Sequence, residues 1–195
     1  MRVIFLRRKN IGMIAVIIGL IIILISFSEI FSHKIKEASL LFNNIEKLTN
    51  YKEANGRLKF SLPSDWGFMK DDIAGDEVLY SGSFYSKDSK IKGMVQLWKL
   101  NKNIYDFLKD SANISKTQNK ISNYSINDIK IGNRAFILVR YKIENVEGNT
   151  FLAYEYFLPK GNEFARMSFY INQKDYKEAY GGMFEALVNY VDLIN

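Results

Sequence analysis

Between Ile11 and Phe27 the chain runs for seventeen residues without a charge, and nearly all are Ile, Leu, Val, Met, Gly or Ala, with Ser26 the polar exception. A helix of that length packed on a soluble core would show a polar face, and this one shows none. The segment is therefore expected to lie in a bilayer. As a helix it covers about 25 Å against a hydrocarbon core of about 30 Å, and Val3 to Leu6 and Ile30 to Phe31 lengthen the apolar contact. Arg2, Arg7, Arg8 and Lys9 precede it without an acid, whereas Glu29, His33, Lys34, Lys36 and Glu37 follow in near balance. The positive-inside bias then gives a cytoplasmic basic tail over 1–10, a single transmembrane anchor over 11–28, and an extracytoplasmic remainder. A cleavable signal peptide is the rival reading, because Ser26 and Ser28 form a small-x-small pair before Glu29. Against it, the apolar run is longer than the about 7 to 15 residues usual for such a region. Whether the segment is cleaved stays open. A lipoprotein is excluded, since the chain has no cysteine to carry the lipid.

The same lack of cysteine removes disulfides, thiolate nucleophiles and Cys-based metal centres. The net charge of +6 resembles that of a nucleic-acid binder until its distribution is followed. Residues 1–9 already carry four bases, 10–56 are balanced, and 57–195 hold 19 bases against 17 acids. No clustered phosphate-binding face follows from that, so no nucleic-acid partner is expected. Twenty Lys, eighteen Asn and twenty-four Ile against seven Arg and two Pro match the residue usage of an AT-rich genome, and a low-GC Gram-positive bacterium is the expected source.

Beyond the anchor, Ile35, Ala38, Leu41, Phe42, Ile45 and Leu48 recur at intervals of three and four, so 29–55 reads as a helical connector broken at Asn55-Gly56. It would serve as a stalk, as a docking helix for a partner, or simply as a helix packed on the domain. From 56 to 195 the pattern changes to short alternating runs. Arg57–Leu62, Glu77–Tyr85, Gly93–Leu100, Tyr124–Ile131, Arg134–Ile143, Thr150–Leu158 and Glu163–Ile171 read as strands. Their short connections favour antiparallel pairing. Asn103 is placed to cap a short helix carrying Ile104, Phe107, Leu108 and Ala112, and Asn113–Asn123 reads as loop. A C-terminal helix is traced by Tyr176, Tyr180, Met183, Leu187, Tyr190, Val191 and Ile194, with Gly181-Gly182 inside it implying close approach to the sheet or a bend.

Two short stretches resemble a known family. Phe60-Ser61-Leu62-Pro63-Ser64-Asp65-Trp66 is similar to the opening strand and turn of PsbP-like domains, and Ile131-Gly132-Asn133-Arg134-Ala135 resembles their Gly-x-Arg-Ala turn. The resemblance spans about residues 56–195. It implies an α+β (α/β) fold whose predominantly antiparallel sheet is sandwiched between helices, and members that act mainly in binding or assembly. It carries over no catalytic residue.

Direct chemistry is sparse. The single histidine, His33, stands a few residues past the apolar span, so a catalytic triad or multi-histidine metal site cannot form in the domain. No glycine-rich phosphate loop and no nucleophile elbow occurs. Asp71, Asp72, Asp76 and Glu77 form the densest acidic cluster, whose oxygens suit calcium although the spacing is not that of an EF-hand; a solvated loop is the simpler reading. Of the aromatic residues, Trp66, Trp98, Tyr154, Tyr156 and Phe157 would suit a ligand platform. Strand alternation explains them as packing: Phe151, Ala153, Glu155 and Phe157 fall on one face, Leu152, Tyr154 and Tyr156 on the other, as in a sheet covered on both sides. The expectation is a non-catalytic, membrane-anchored binding or assembly domain of the cell envelope, with a protein partner and without a cofactor or metal. The alternative is a receptor for a small molecule, lipid or glycan held in an apolar pocket.

Overall fold

The computed structural model describes residues 45, 47–72, 77–118 and 120–194. The basic tail, the apolar span and the connector as far as residue 44 lie outside them. Among the described residues no helix is long and apolar enough to cross a membrane.

The strands are β1 (Leu48–Glu53), β2 (Leu58–Pro63), β3 (Gly67–Lys70), β4 (Val78–Tyr85), β5 (Ile91–Lys99), β6 (Lys120–Ile131), β7 (Arg134–Glu144), β8 (Thr150–Lys160), β9 (Glu163–Asn172) and β10 (Asp192–Leu193). The helices are α1 (Ile104–Gln118) and α2 (Ala179–Val188). Seven strands form one sheet in the order β3-β4-β5-β9-β8-β7-β6, and β1-β2-β10 form a smaller one. Every pairing is antiparallel.

Alternation along the strands divides the core in two. On one face of the large sheet, Leu138, Tyr156, Leu158, Met167, Phe169 and Val95 pack against Phe60 and Leu62 of the small sheet and Phe184 and Leu187 of α2. Phe169 stacks on Phe184 at 4.2 Å between ring centroids. Gly93 makes room there: a Cβ at that position would lie 2.2 Å from the Ser168 carbonyl oxygen and 2.3 Å from the Phe84 ring. The opposite face carries a smaller cluster, in which Ile137, Val139, Phe157 and Phe164 meet Leu108, with Ile104 and Phe107 of α1 beside them. The large sheet thus lies between α1 on one side and α2 with the small sheet on the other.

Three expectations are corrected and one strand is added. Residues 48–53 are strand, not the end of a connector helix, so the folded unit begins before residue 56; Ile45 is already in the core. Tyr51 stacks on Phe60 at 4.9 Å and meets Phe68, and this packing overrides the helical spacing. Residues 113–118 and 120–123 are not loop, because α1 continues to Gln118 and β6 starts at Lys120. A strand at 67–70 pairs with β4, which sequence reading did not place. Finally, the C-terminal helix stops at Val188. Arg134 donates to the carbonyls of Asn189 and Val191, and Asp192 and Leu193 then pair with the free edge of β2.

Candidate functional site

β8 and β9 are nearly continuous apolar runs, yet each carries one charge on the face beneath α1, Glu155 and Arg166. Isolated buried charges are strongly disfavoured unless paired, and these two are paired: Arg166 Nη2 donates to Glu155 Oε1 at 2.6 Å, with side-chain exposures of 19% and 7%. The same carboxylate oxygen accepts the hydroxyls of Tyr141 and Tyr170, each at 2.7 Å. The network continues across the sheet. Arg166 Nη1 and Trp98 Nε1 both donate to Gln96 Oε1, at 3.3 and 3.0 Å. Gln96 Nε2 donates to Ser81 Oγ at 3.2 Å, and the hydroxyls of Ser81 and Ser83 donate to Asp71 Oδ2 at 2.8 and 3.0 Å.

Over the Tyr141 end of this string α1 leaves a cleft of about 300 Å³. Phe107, Leu108 and Ala112 of α1 form its roof, Glu155 and Arg166 line its floor, and Trp98, Tyr124, Tyr141 and Phe157 supply aromatic walls. The helix is positioned by its own start and by β6. Asn103 Oδ1 accepts the Tyr105 N–H at 2.8 Å, the cap read from sequence. The Tyr105 hydroxyl donates to Asp128 of β6 at 2.5 Å, and the Tyr124 hydroxyl donates to the Leu108 carbonyl at 3.4 Å.

Burial and the nearby Glu155 carboxylate push the Tyr170 and Tyr124 phenols up to about 12, and push Tyr141 further still. Burial opposes the charge on Arg166, but Glu155 beside it outweighs that and holds the guanidinium more firmly protonated. At neutral pH the floor is therefore a paired cation and carboxylate held by neutral hydroxyl donors. It offers fixed polarity at the floor of an aromatic-walled open cleft, the make-up of a site that can orient a ligand.

Among the described residues the acidic cluster is not brought together. Asp71 is occupied by the two serines, Asp72 and Glu77 are exposed, and Asp76 lies outside the described residues, as does His33. Among the described residues no three acid or imidazole groups are placed to hold a metal ion. Of the aromatic candidates, Tyr154 packs on Tyr176 and Phe184, Tyr156 meets Phe169 edge-on, and Trp66 stacks on Phe84, while Trp98 and Phe157 reach the cleft. Alternation places Glu155 on the correct face without singling it out, and it does not mark Arg166. The available signal was one charge of each sign inside two otherwise apolar strands.

Comparison with family models finds no match, and comparison with curated proteins finds none. Among solved structures, the fold is similar to the solution structure of cyanobacterial PsbP (CyanoP) from Synechocystis sp. PCC 6803, with a TM-score of 0.54, 14% identity, and coverage of 77% of this chain and 94% of that one. It is also similar to a crystal structure from Bacteroides thetaiotaomicron VPI-5482, with a TM-score of 0.50, 17% identity and coverage of 75% of this chain. The matched part is 48% of the Bacteroides protein, so this chain spans about half its length. At such identities the likeness concerns fold alone, and the fold of this domain is PsbP-like: an antiparallel, sheet-rich α+β unit with two helices.

Proposed function

We propose that this chain is a membrane-anchored, non-catalytic binding domain of the cell envelope, displayed on the extracytoplasmic side, and that it engages a protein partner through the cleft beneath α1. The observation that carries the reading is the cleft itself: aromatic walls from α1, β5, β6, β7 and β8 around one neutralised Arg166–Glu155 pair. Trp, Tyr and Arg are the side chains most enriched among those that dominate protein recognition once a partner covers them. The anchor rests on the uncharged run Ile11–Phe27 and the basic residues before it. A second reading, a receptor for a small molecule, lipid or glycan, is favoured by the cleft's volume, about that of the smaller ligand pockets.

The test is photo-cross-linking in the native cell. A photoreactive phenylalanine analogue replaces Phe107, at the roof of the cleft, and in a control strain replaces Met69, which is exposed on β3. A discrete protein adduct from position 107 alone supports the protein-binding reading. A small-molecule adduct there, read as a defined mass increase of the chain, transfers support to the receptor reading. Equal labelling from both positions, or none from 107, overturns the assignment of the cleft.

A further inference from the structure

On the outer side of the small sheet, Lys52 of β1 stands directly opposite Lys59 of β2. Both are exposed, and neither meets a carboxylate among the described residues. Like charges facing each other across an antiparallel pair destabilise it; Asp192 of β10 stands opposite Lys59 on its other side and offsets one of the two charges, whereas Lys52, on the outer strand, has no acid opposite it. The two lysines border an open groove of about 590 Å³, edged also by Arg134, Asn50 and the exposed ring of Tyr190. Asp192 is the single acid in that lining, 3.7 Å from Arg134 and opposite Lys59 across β10 and β2, so Lys52, Lys59 and Arg134 leave the groove positive overall. Arg134 is fixed by the Asn189 and Val191 carbonyls, and the Asn50 carboxamide oxygen is held by the Ser61 hydroxyl at 2.7 Å, leaving its N–H groups to donate.

We infer that this groove binds a ligand bearing phosphate groups. Directly opposed residues on antiparallel strands have Cβ atoms about 4.5–5.5 Å apart. Two flexible ammonium groups rooted at that spacing can close on one phosphate or on two adjacent ones. Lysine suits such a site at a solvated surface because it acts as a compact, hydrated point charge. Tyr190 provides an apolar surface for an organic part of the ligand. The groove lies in the small-sheet layer, across the large sheet from the α1 cleft, and the inference stands whether or not that cleft is a binding site.

Isothermal titration of the full chain in nonionic detergent tests it, with inorganic pyrophosphate as the probe. The expected result is one saturable site that weakens as salt rises and loses roughly tenfold or more in affinity when Lys52→Gln and Lys59→Gln are combined. The control pair Lys87→Gln and Lys174→Gln, both exposed lysines outside the groove, leaves the affinity unchanged. Without ligand the groove variant unfolds in one cooperative transition close to that of the natural chain, because the Lys52–Lys59 repulsion and the Lys59–Asp192 attraction are removed together; this separates lost binding from lost folding. Short-chain phosphatidylglycerol, against phosphatidylcholine, identifies the source of the phosphate. Competition with pyrophosphate by the former alone points to a lipid headgroup, and its absence points to soluble or polymer-borne phosphate. No saturable binding, or an equal loss in the control pair, overturns the inference.

Discussion

Glu155 and Arg166 show how differently a residue's cost and its partner's cost can be borne. Paired, they neutralise each other under α1 at 2.6 Å. Removing only one charge leaves the other stranded, and broken buried pairs cost about 3–5 kcal/mol. Glu155→Gln is therefore expected to lower unfolding free energy by about 3 kcal/mol in urea denaturation. The double change Glu155→Met with Arg166→Met should fall within about 1 kcal/mol of the natural chain, since apolar replacement of both partners is often neutral. A harmless single change would mean that the pair is solvated rather than buried. Glycines give a second contrast of sign. Gly93→Ala forces a methyl group against the Ser168 backbone carbonyl, which cannot rotate away, and should cost about 2 kcal/mol or more. At Gly181, in α2, an added Cβ meets only the Tyr176 hydroxyl at 3.9 Å. Close approach to the sheet does not explain Gly181, so Gly181→Ala should stabilise by roughly 0.5–1 kcal/mol through helix propensity. Thermal unfolding of the two variants should move in opposite directions.

At the level of elements, the boundary of the folded unit carries a direct consequence. β1 supplies the outer strand of the small sheet and the Tyr51 ring that stacks on Phe60. Truncating the chain before residue 45 is expected to leave one cooperative unfolding transition. Truncating before residue 56 removes β1 and should abolish that transition or shift it down by many degrees, which circular dichroism would register. The misreading of β1 has a physical origin. Thr49, Asn50, Lys52 and Glu53 make the strand mostly polar with Tyr51 the one large apolar residue inside it, so period-two alternation is masked, while Leu48 happens to extend a helical stripe. The long strands β7, β8 and β9 were legible because both of their faces are apolar and glycine- or asparagine-containing turns separate them. The end of α2 was not, since Val191 and Ile194 keep helical spacing from Leu187 and only the tertiary partners Arg134 and β2 redirect the chain. The cleft was half legible: alternation put Glu155 and Phe157 on one face, but meeting Arg166 depends on the β8–β9 register, and meeting Trp98 on that of β9 with β5.

For the whole molecule, the tyrosines make stability sensitive to alkali on both sides of the large sheet. Burial raises Tyr141, Tyr170 and Tyr124 beneath α1, and it raises Tyr154 and Tyr156 on the opposite face. A buried phenol ionises at higher pH than the same phenol in the unfolded chain, whose ordinary value is about 10. The stability these groups contribute is therefore complete below about pH 10, and it drains away as pH climbs through the raised values, with Tyr170 and Tyr124 at about 12 setting the first window. Each phenol that is neutral when folded and ionised when unfolded steepens the loss by about 1.4 kcal/mol per pH unit. Urea denaturation at stepped pH should show nearly constant stability up to about pH 10 and a steep fall beyond. The tyrosinate absorbance of the buried class should rise only with unfolding. Tyr170→Phe should flatten that slope by about one proton's worth while weakening the native state at neutral pH, because Glu155 loses one of its three donors. If instead the buried phenols ionised near pH 10 with the fold intact, water would have to reach the Glu155 network freely, and the floor of the cleft beneath α1 would lack the fixed neutral donors on which the proposed binding function depends.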